Sequence, residues 1–114
     1  MDFYTAERLK PYAINLDLPY ELMPFIAGRI NWGNQISLMD LAKEIQVKFN
    51  HPYLKENTIK GRPKFYGDLC LLFIALSQAG HGRMLKVNLI DCVYIGDVEI
   101  SVSYTHLTLP TILL

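Results

Sequence analysis

The chain has no surplus of charge of either sign, because 11 Lys and Arg residues balance 11 Asp and Glu residues over its 114 positions. A one-sided charge would point to nucleic acid, an anionic membrane or a charged substrate through its overall field, and this composition points to none of them. Cysteine is also scarce, with only Cys70 and Cys92. These two do not form the closely spaced pairs that are typical of metal sites. We therefore expect no metal, no cofactor and two buried free thiols in a reducing compartment.

Long apolar runs are missing as well. The N-terminal segment MDFYTAERLK opens with charged residues and has no apolar core of the kind that a signal peptide needs. The most apolar stretch of the chain is shorter than the roughly 20 residues that span a bilayer. No internal repeat and no low-complexity run is present. These absences predict a cytoplasmic protein with no membrane partner.

What the chain does have is apolar content, 51% of its residues, which suffices for a core in a single domain of this size. The most apolar segment is residues 63–80, PKFYGDLCLLFIALSQAG, and its apolar side chains leave almost no polar face. Such a helix is typically buried, so this segment predicts the central helix of the domain. Pro63 or Asp68 can start the helix, and Gly80 is a natural stop.

A second helix has the clearest start signal in the chain. Ser37 can cap its N-terminus, and Asp40 lies three residues later, in a variant of the capping box. Ile36 and Leu41 can form the accompanying hydrophobic staple. Apolar residues then recur at helical spacing as far as Phe49.

The apolar period changes from helical to alternating after Gly80. Two alternating runs flank the pair Gly96-Asp97, which is a two-residue hairpin signal. That turn would pair Ile95 with Val98 and Val93 with Ile100. The predicted class is therefore α+β: three to four helices around the central helix at about 63–80, followed by a C-terminal antiparallel β-hairpin at about 84–103.

The C-terminal run from Val102 to Thr111, VSYTHLTLPT, resembles translated laboratory DNA. It is what GTC TCT TAT ACA CAT CTG ACG CTG CCG ACG encodes, which is similar to a transposase-type adaptor of sequencing libraries. The resemblance covers ten consecutive residues and implies that a natural reading frame was cut near Ser101. We therefore expect one domain at 1–101, cut short at its C-terminus, and a non-native tail at 102–114.

A short basic segment lies just before the central helix. Its sequence, Lys60-Gly61-Arg62-Pro63-Lys64, resembles the core of an AT-hook, a segment that lies extended in the minor groove of A·T-rich DNA. Lys55 adds to the basic patch. The resemblance implies nucleic-acid contacts by Lys55, Lys60, Arg62 and Lys64. The alternative interpretation is a solvated linker in which Pro63 begins the helix.

The predicted element order also suits a winged helix, with the second helix at 37–49 and the third at 63–80. Two observations oppose this interpretation. The linker is long for a helix-turn-helix turn of about 3–4 residues. The third helix is apolar, whereas base readout needs Arg, Lys, Asn or Gln.

Three further residues form a possible polar site: His81 between two glycines, Arg83 beside it, and Asp91 on an apolar strand face. They lack the nucleophile or metal that catalysis would need in addition, so we expect no catalytic residue. A carboxylate in the position of Asp91 more often pairs with Arg or caps a neighbouring helix.

Three functional hypotheses remain open from the sequence. The leading one is a non-enzymatic protein-interaction or structural module, whose partner is another protein. The alternative is a nucleic-acid-binding domain that uses the basic segment at 55–64 or a winged-helix arrangement. The third is a fragment of an enzyme whose catalytic residues lie beyond Ser101.

Overall fold

The computed structural model describes residues 3–33, 35–87 and 91–96. Within these residues the chain forms five helices and three strands: α1 (Ala6–Ala13), α2 (Leu22–Gly33), β1 (Gln35–Ser37), α3 (Leu38–Lys48), α4 (Pro52–Lys55), α5 (Tyr66–Gln78), β2 (Arg83–Lys86) and β3 (Cys92–Ile95). The predicted α+β class is confirmed. None of the described helices is long and apolar enough to cross a bilayer. The expected cut near Ser101 and the tail at 102–114 lie outside the described residues.

The three strands form one antiparallel sheet in the order β1-β3-β2. Tyr94 of β3 lies opposite Ile36 on one side and Met84 on the other. Tyr94 and Ile36 are buried, so this face of the sheet packs on the core. The sequence predicted an antiparallel hairpin at about 84–103 that turns at Gly96-Asp97. In the structure β2 and β3 are antiparallel to each other, and residues 93–95 pair with β2 and β1 rather than with a strand that follows Gly96. The predicted partners Val98 and Ile100 lie outside the described residues, and β3 has a neighbouring strand on each of its edges.

Helix α5 packs against α1, α3 and β2. It begins at Tyr66, between the two predicted starts. Gly80 ends it with a φ of 86°, and the N–H of His81 donates to the carbonyl of Leu76 at 3.0 Å, which closes a Schellman motif. The sequence predicted a helix that is buried on every side. The structure differs, because Leu71 and Ile74 remain 52% and 37% exposed. An apolar composition therefore did not reveal which face of α5 meets the core.

The predicted cap of α3 is confirmed. The hydroxyl of Ser37 accepts a hydrogen bond from the N–H of Asp40 at 3.3 Å. The same hydroxyl donates to Oδ2 of Asp91 at 2.9 Å, and Oδ1 of Asp91 accepts from the N–H of Met39 at 3.1 Å. Asp91 thus caps a neighbouring helix, as the sequence allowed, and joins α3 to the start of β3.

We expect Ser37→Ala to lower the free energy of unfolding by about 0.5–2 kcal/mol, because the N-cap oxygen is lost and Asp91 loses a donor. Urea titration of both proteins measures the difference. Ser77→Ala on α5 is the matched control, since the Ser77 hydroxyl donates back to the carbonyl of Ile74 within its own helix. An equal loss in both variants would show that Ser37 does not act as a cap.

Candidate nucleic-acid interface

The segment between α4 and α5, residues 57–64, forms a closed loop that we call the basic loop. At its base, Asn57 and Pro63 form an antiparallel bridge, and the N–H of Lys64 donates to the carbonyl of Glu56 at 2.9 Å. The AT-hook resemblance implies an extended chain here. The structure instead shows a folded loop, because the backbone groups of this segment bond to one another.

The tip of the basic loop is a tight turn. The N–H of Thr58 donates to the carbonyl of Arg62 at 2.8 Å, and the N–H of Gly61 donates to the carbonyl of Thr58 at 2.8 Å. Gly61 closes the turn with a φ of 86°, a conformation that favours glycine. Ile59 and Lys60 therefore lie at the tip, and the side chain of Ile59 is fully exposed.

Gln46 of α3 holds the base of the basic loop against the helix. Its side-chain amide donates to Oδ1 of Asn57 at 2.8 Å and to the carbonyl of Leu54 at 3.0 Å. The ammonium group of Lys55 donates to the carbonyl of Gln46 from the other side. These bonds fix the position of the loop relative to the exposed side of α3.

Helix α3 and the basic loop enclose a groove of about 840 Å³. Four cationic side chains line it, and two apolar ones lie among them: Lys43, Lys60, Arg62, Lys64, Met39 and Ile59. Within the described part of the chain, no acidic side chain lines this groove. We call it the basic groove, because cationic side chains make up much of its lining.

Two of the four cationic side chains, Lys64 and Arg62, have partners within the protein that still allow them to bind an external anion. Lys64 lies 3.3 Å from Oε1 of Glu56, and both side chains are more than half exposed, so this pair is weak and can be displaced. The guanidinium of Arg62 lies 5.7 Å from the ring centre of Tyr66, which leaves its N–H groups free to bind other acceptors. In the described residues, no carboxylate lies within ion-pair distance of Lys43 or Lys60.

The basic groove contains three of the four predicted nucleic-acid contacts, while Lys55 is turned away toward Gln46. Lys43 was missed, because it lies on α3, far along the chain from the basic segment at 55–64. Met39 and Lys43 lie four residues apart and therefore on one side of α3. That spacing could have grouped them, but it could not have shown that the basic loop faces them.

The possible polar site at His81, Arg83 and Asp91 is spread along the β2–β3 hairpin. Nε2 of His81 lies 3.0 Å from the hydroxyl of Tyr12, and the carbonyl of His81 accepts from the hydroxyl of Tyr4. Asp91 lies past the other end of β2, beside Val87, whose N–H donates to the carbonyl of Asp91 at 3.2 Å. His81 and Val87 are six residues apart, which is roughly 20 Å at the usual rise of a strand. The structure therefore does not bring His81 and Asp91 together, and Arg83 lies exposed in β2.

Asp91 belongs to a second polar cluster beside the start of β3. The hydroxyl of Tyr66 lies 3.4 Å from Oδ1 of Asp91 and accepts from the N–H of Cys92 at 3.2 Å. Burial raises the pKa of the Tyr66 hydroxyl and the pKa of the Cys70 thiol, so both stay protonated at neutral pH. Both cysteines are free and half-buried rather than buried. Across the described ranges no cluster of His, Cys, Asp and Glu could hold a metal ion.

Fold and site together define an α+β domain that carries a basic groove between a helix and a rigid loop. Comparisons with protein-family models, with curated proteins and with solved structures give no match. The function of the groove therefore has to be inferred from its own geometry and chemistry.

Proposed function

We propose that this chain is a nucleic-acid-binding module that holds a phosphate backbone in the basic groove. The observation that carries the proposal is the convergence of Lys43, Lys60, Arg62 and Lys64 on one groove from two separate elements. Each phosphate that such a side chain neutralises releases condensed counterions, which drives binding whatever the sequence of the nucleic acid. A net charge of zero is compatible with this function, because binding depends on the local concentration of cations.

The order of the elements supports the proposal. From α2 to β3 the chain runs helix, strand, two principal helices and a hairpin, with β1 paired to the last strand. This arrangement resembles a winged helix, with α3 as the second helix and α5 as the third. The short α4 and the basic loop fill the connection between them. The basic groove thus lies beside α3, which corresponds to the helix that crosses the DNA backbone in a helix-turn-helix.

Helix α5 does not supply base readout in this proposal. Its 13 residues include no Lys, Arg or Asn, and its exposed face carries Leu71 and Ile74. Its one Gln, Gln78, is its last residue, whereas the N-terminal residues of a recognition helix contact the bases. Side chains that read bases in the major groove are Arg, Lys, Asn and Gln. We therefore expect affinity to come from phosphate contacts in the basic groove.

We expect the parent protein to shift a DNA duplex in an electrophoretic assay at low salt and to bind more weakly at physiological salt. The double variant Lys43→Glu/Arg62→Glu should bind at least about tenfold more weakly. The slope of log affinity against log salt should become shallower by about 0.9 for each lost phosphate contact. Titrations across a salt series measure both quantities.

The matched control is the double variant Arg8→Glu/Lys10→Glu, which has the same net charge but changes residues of α1. It should reduce affinity far less than the groove variant. An equal loss in both would show that only the overall charge matters. Absence of a shift by the parent at low salt would contradict the proposal, since even non-specific binding appears under that condition.

The second candidate function is a non-enzymatic module that binds another protein. The exposed apolar face of α5 favours it, because Leu71 and Ile74 lie three residues apart on one side of the helix. Exposed apolar residues that lie together are typical of protein contacts. If the duplex assay is negative, this face becomes the site to test, by replacing both residues with Ser and measuring partner binding.

A further inference from the structure

Ile59 lies in an unusual place for an exposed aliphatic side chain. Single exposed apolar residues are common on protein surfaces. Ile59, however, lies at the tip of a turn that its own backbone hydrogen bonds close, and it borders the basic groove. Lys60 follows it directly, and Arg62 lies across the turn. A fully exposed apolar side chain thus projects from a rigid loop among cations.

We infer that the tip of the basic loop enters the minor groove of a DNA duplex, where Ile59 inserts as a wedge between base pairs. This inference rests on the proposed function. Apolar side chains such as Ile, Leu and Met partly unstack a base step when they enter the minor groove, and they kink the duplex toward the major groove. Neighbouring cations hold the phosphates on either side of the kink.

The loop is stiff enough for this task. A wedge must transmit force to the base pairs, so its support has to resist displacement. The turn at Thr58 and Gly61 is closed by backbone hydrogen bonds, and Gln46 bonds the base of the loop to α3. Because the minor groove is only about 6 Å wide, the tip alone enters it. The cations at the base of the loop and on α3 then face the phosphates.

An anionic bilayer is the other surface that takes an apolar tip surrounded by cations. The shape of the site favours the duplex. Lys43 approaches from α3 while Lys60, Arg62 and Lys64 approach from the loop, so the cations surround a concavity. A concavity fits a projecting phosphate backbone, whereas a flat membrane would leave Lys43 without contact.

The test measures bending of a short duplex that carries a fluorophore at each end and a flexible TA step at its centre. We expect the parent to shorten the distance between the fluorophores on binding. Ile59→Ser should lose the shortening even at protein concentrations that saturate the duplex. Ile59→Met should retain it, since Met also serves as a wedge. Val47→Ser is the matched control, because Val47 is 85% exposed on α3 outside the basic groove, and it should bend the duplex as the parent does.

The outcomes separate this inference from the proposed function. A parent that binds the duplex without bending it, or an Ile59→Ser variant that bends it fully, overturns the wedge and leaves the proposed function intact. A parent that does not bind the duplex at all overturns both. Binding to phosphatidylserine-containing vesicles that Ile59→Ser abolishes, without any bending of DNA, assigns the tip to a membrane surface and also overturns the wedge.

Discussion

Leu72→Ala is expected to lower the free energy of unfolding by about 2–5 kcal/mol, the largest effect that we predict for one substitution. Leu72 is fully buried on α5, a helix that contacts α1, α3 and β2. Removing its branched end loses apolar burial and leaves a cavity that three neighbouring elements cannot easily fill. Urea titration gives the change from the midpoint and the slope of the transition.

Leu71→Ala is the matched control for this prediction. Leu71 is adjacent on the same helix but 52% exposed, so its truncation should cost under about 1 kcal/mol. The two variants have the same change in composition and helix propensity. A midpoint for Leu72→Ala that matches the parent, or that matches Leu71→Ala, would mean that α5 does not organise the core.

Gly82→Ala is the second prediction with a large effect. Gly82 is buried at the start of β2, and a Cβ at this position would lie 2.6 Å from the backbone carbonyl of Ile95 and would collide with the hydroxyl of Tyr94. Tyr94 is fully buried and has its hydroxyl 3.2 Å from that of Tyr4, so it has little room to move. We expect this overpacking to lower the free energy of unfolding by about 1–3 kcal/mol or more.

Gly28→Ala should change the free energy of unfolding in the opposite direction. Gly28 lies inside α2, and nothing occupies the space within 4 Å of a Cβ placed there. The substitution should stabilise the protein by about 0.4–1 kcal/mol, because it reduces the conformational freedom of the unfolded chain. Thermal unfolding of both variants compares them directly. A Gly82→Ala variant that unfolds at or above the temperature of the parent would show that the close approach at Gly82 does not limit the packing.

The basic groove shows how far the sequence could predict a site. Lys60, Arg62 and Lys64 lie within five residues of one another, and their pattern alone singled them out. Lys43 lies far from them along the chain, and hydrogen bonds between Gln46 and residues 54, 55 and 57 hold the basic loop against its helix. Nothing in the spacing of Gln46 indicates that its amide bonds to residues 54 and 57, because those partners depend on how the loop folds back.

The sequence by itself determined the features that depend on near neighbours along the chain. Gly80 ends α5, because a glycine accepts the left-handed conformation that its Schellman motif needs. Ser37 caps α3, because its hydroxyl reaches the N–H groups of the following turn. Alternating apolar residues marked the segments that hold β2 and β3.

Only the tertiary structure decided the features that depend on distant partners. Strand β1 is three residues long and forms because β3 supplies its hydrogen bonds, so no local signal marks it. Asp91 finds its donors on Ser37 and Met39 because the antiparallel pairing of β1 with β3 brings these residues beside it, and no local signal in the sequence reveals that pairing. Which face of α5 is buried could also be seen only in the fold, because apolar residues surround this helix on nearly every side. The position of the core makes Leu72 buried and Leu71 exposed.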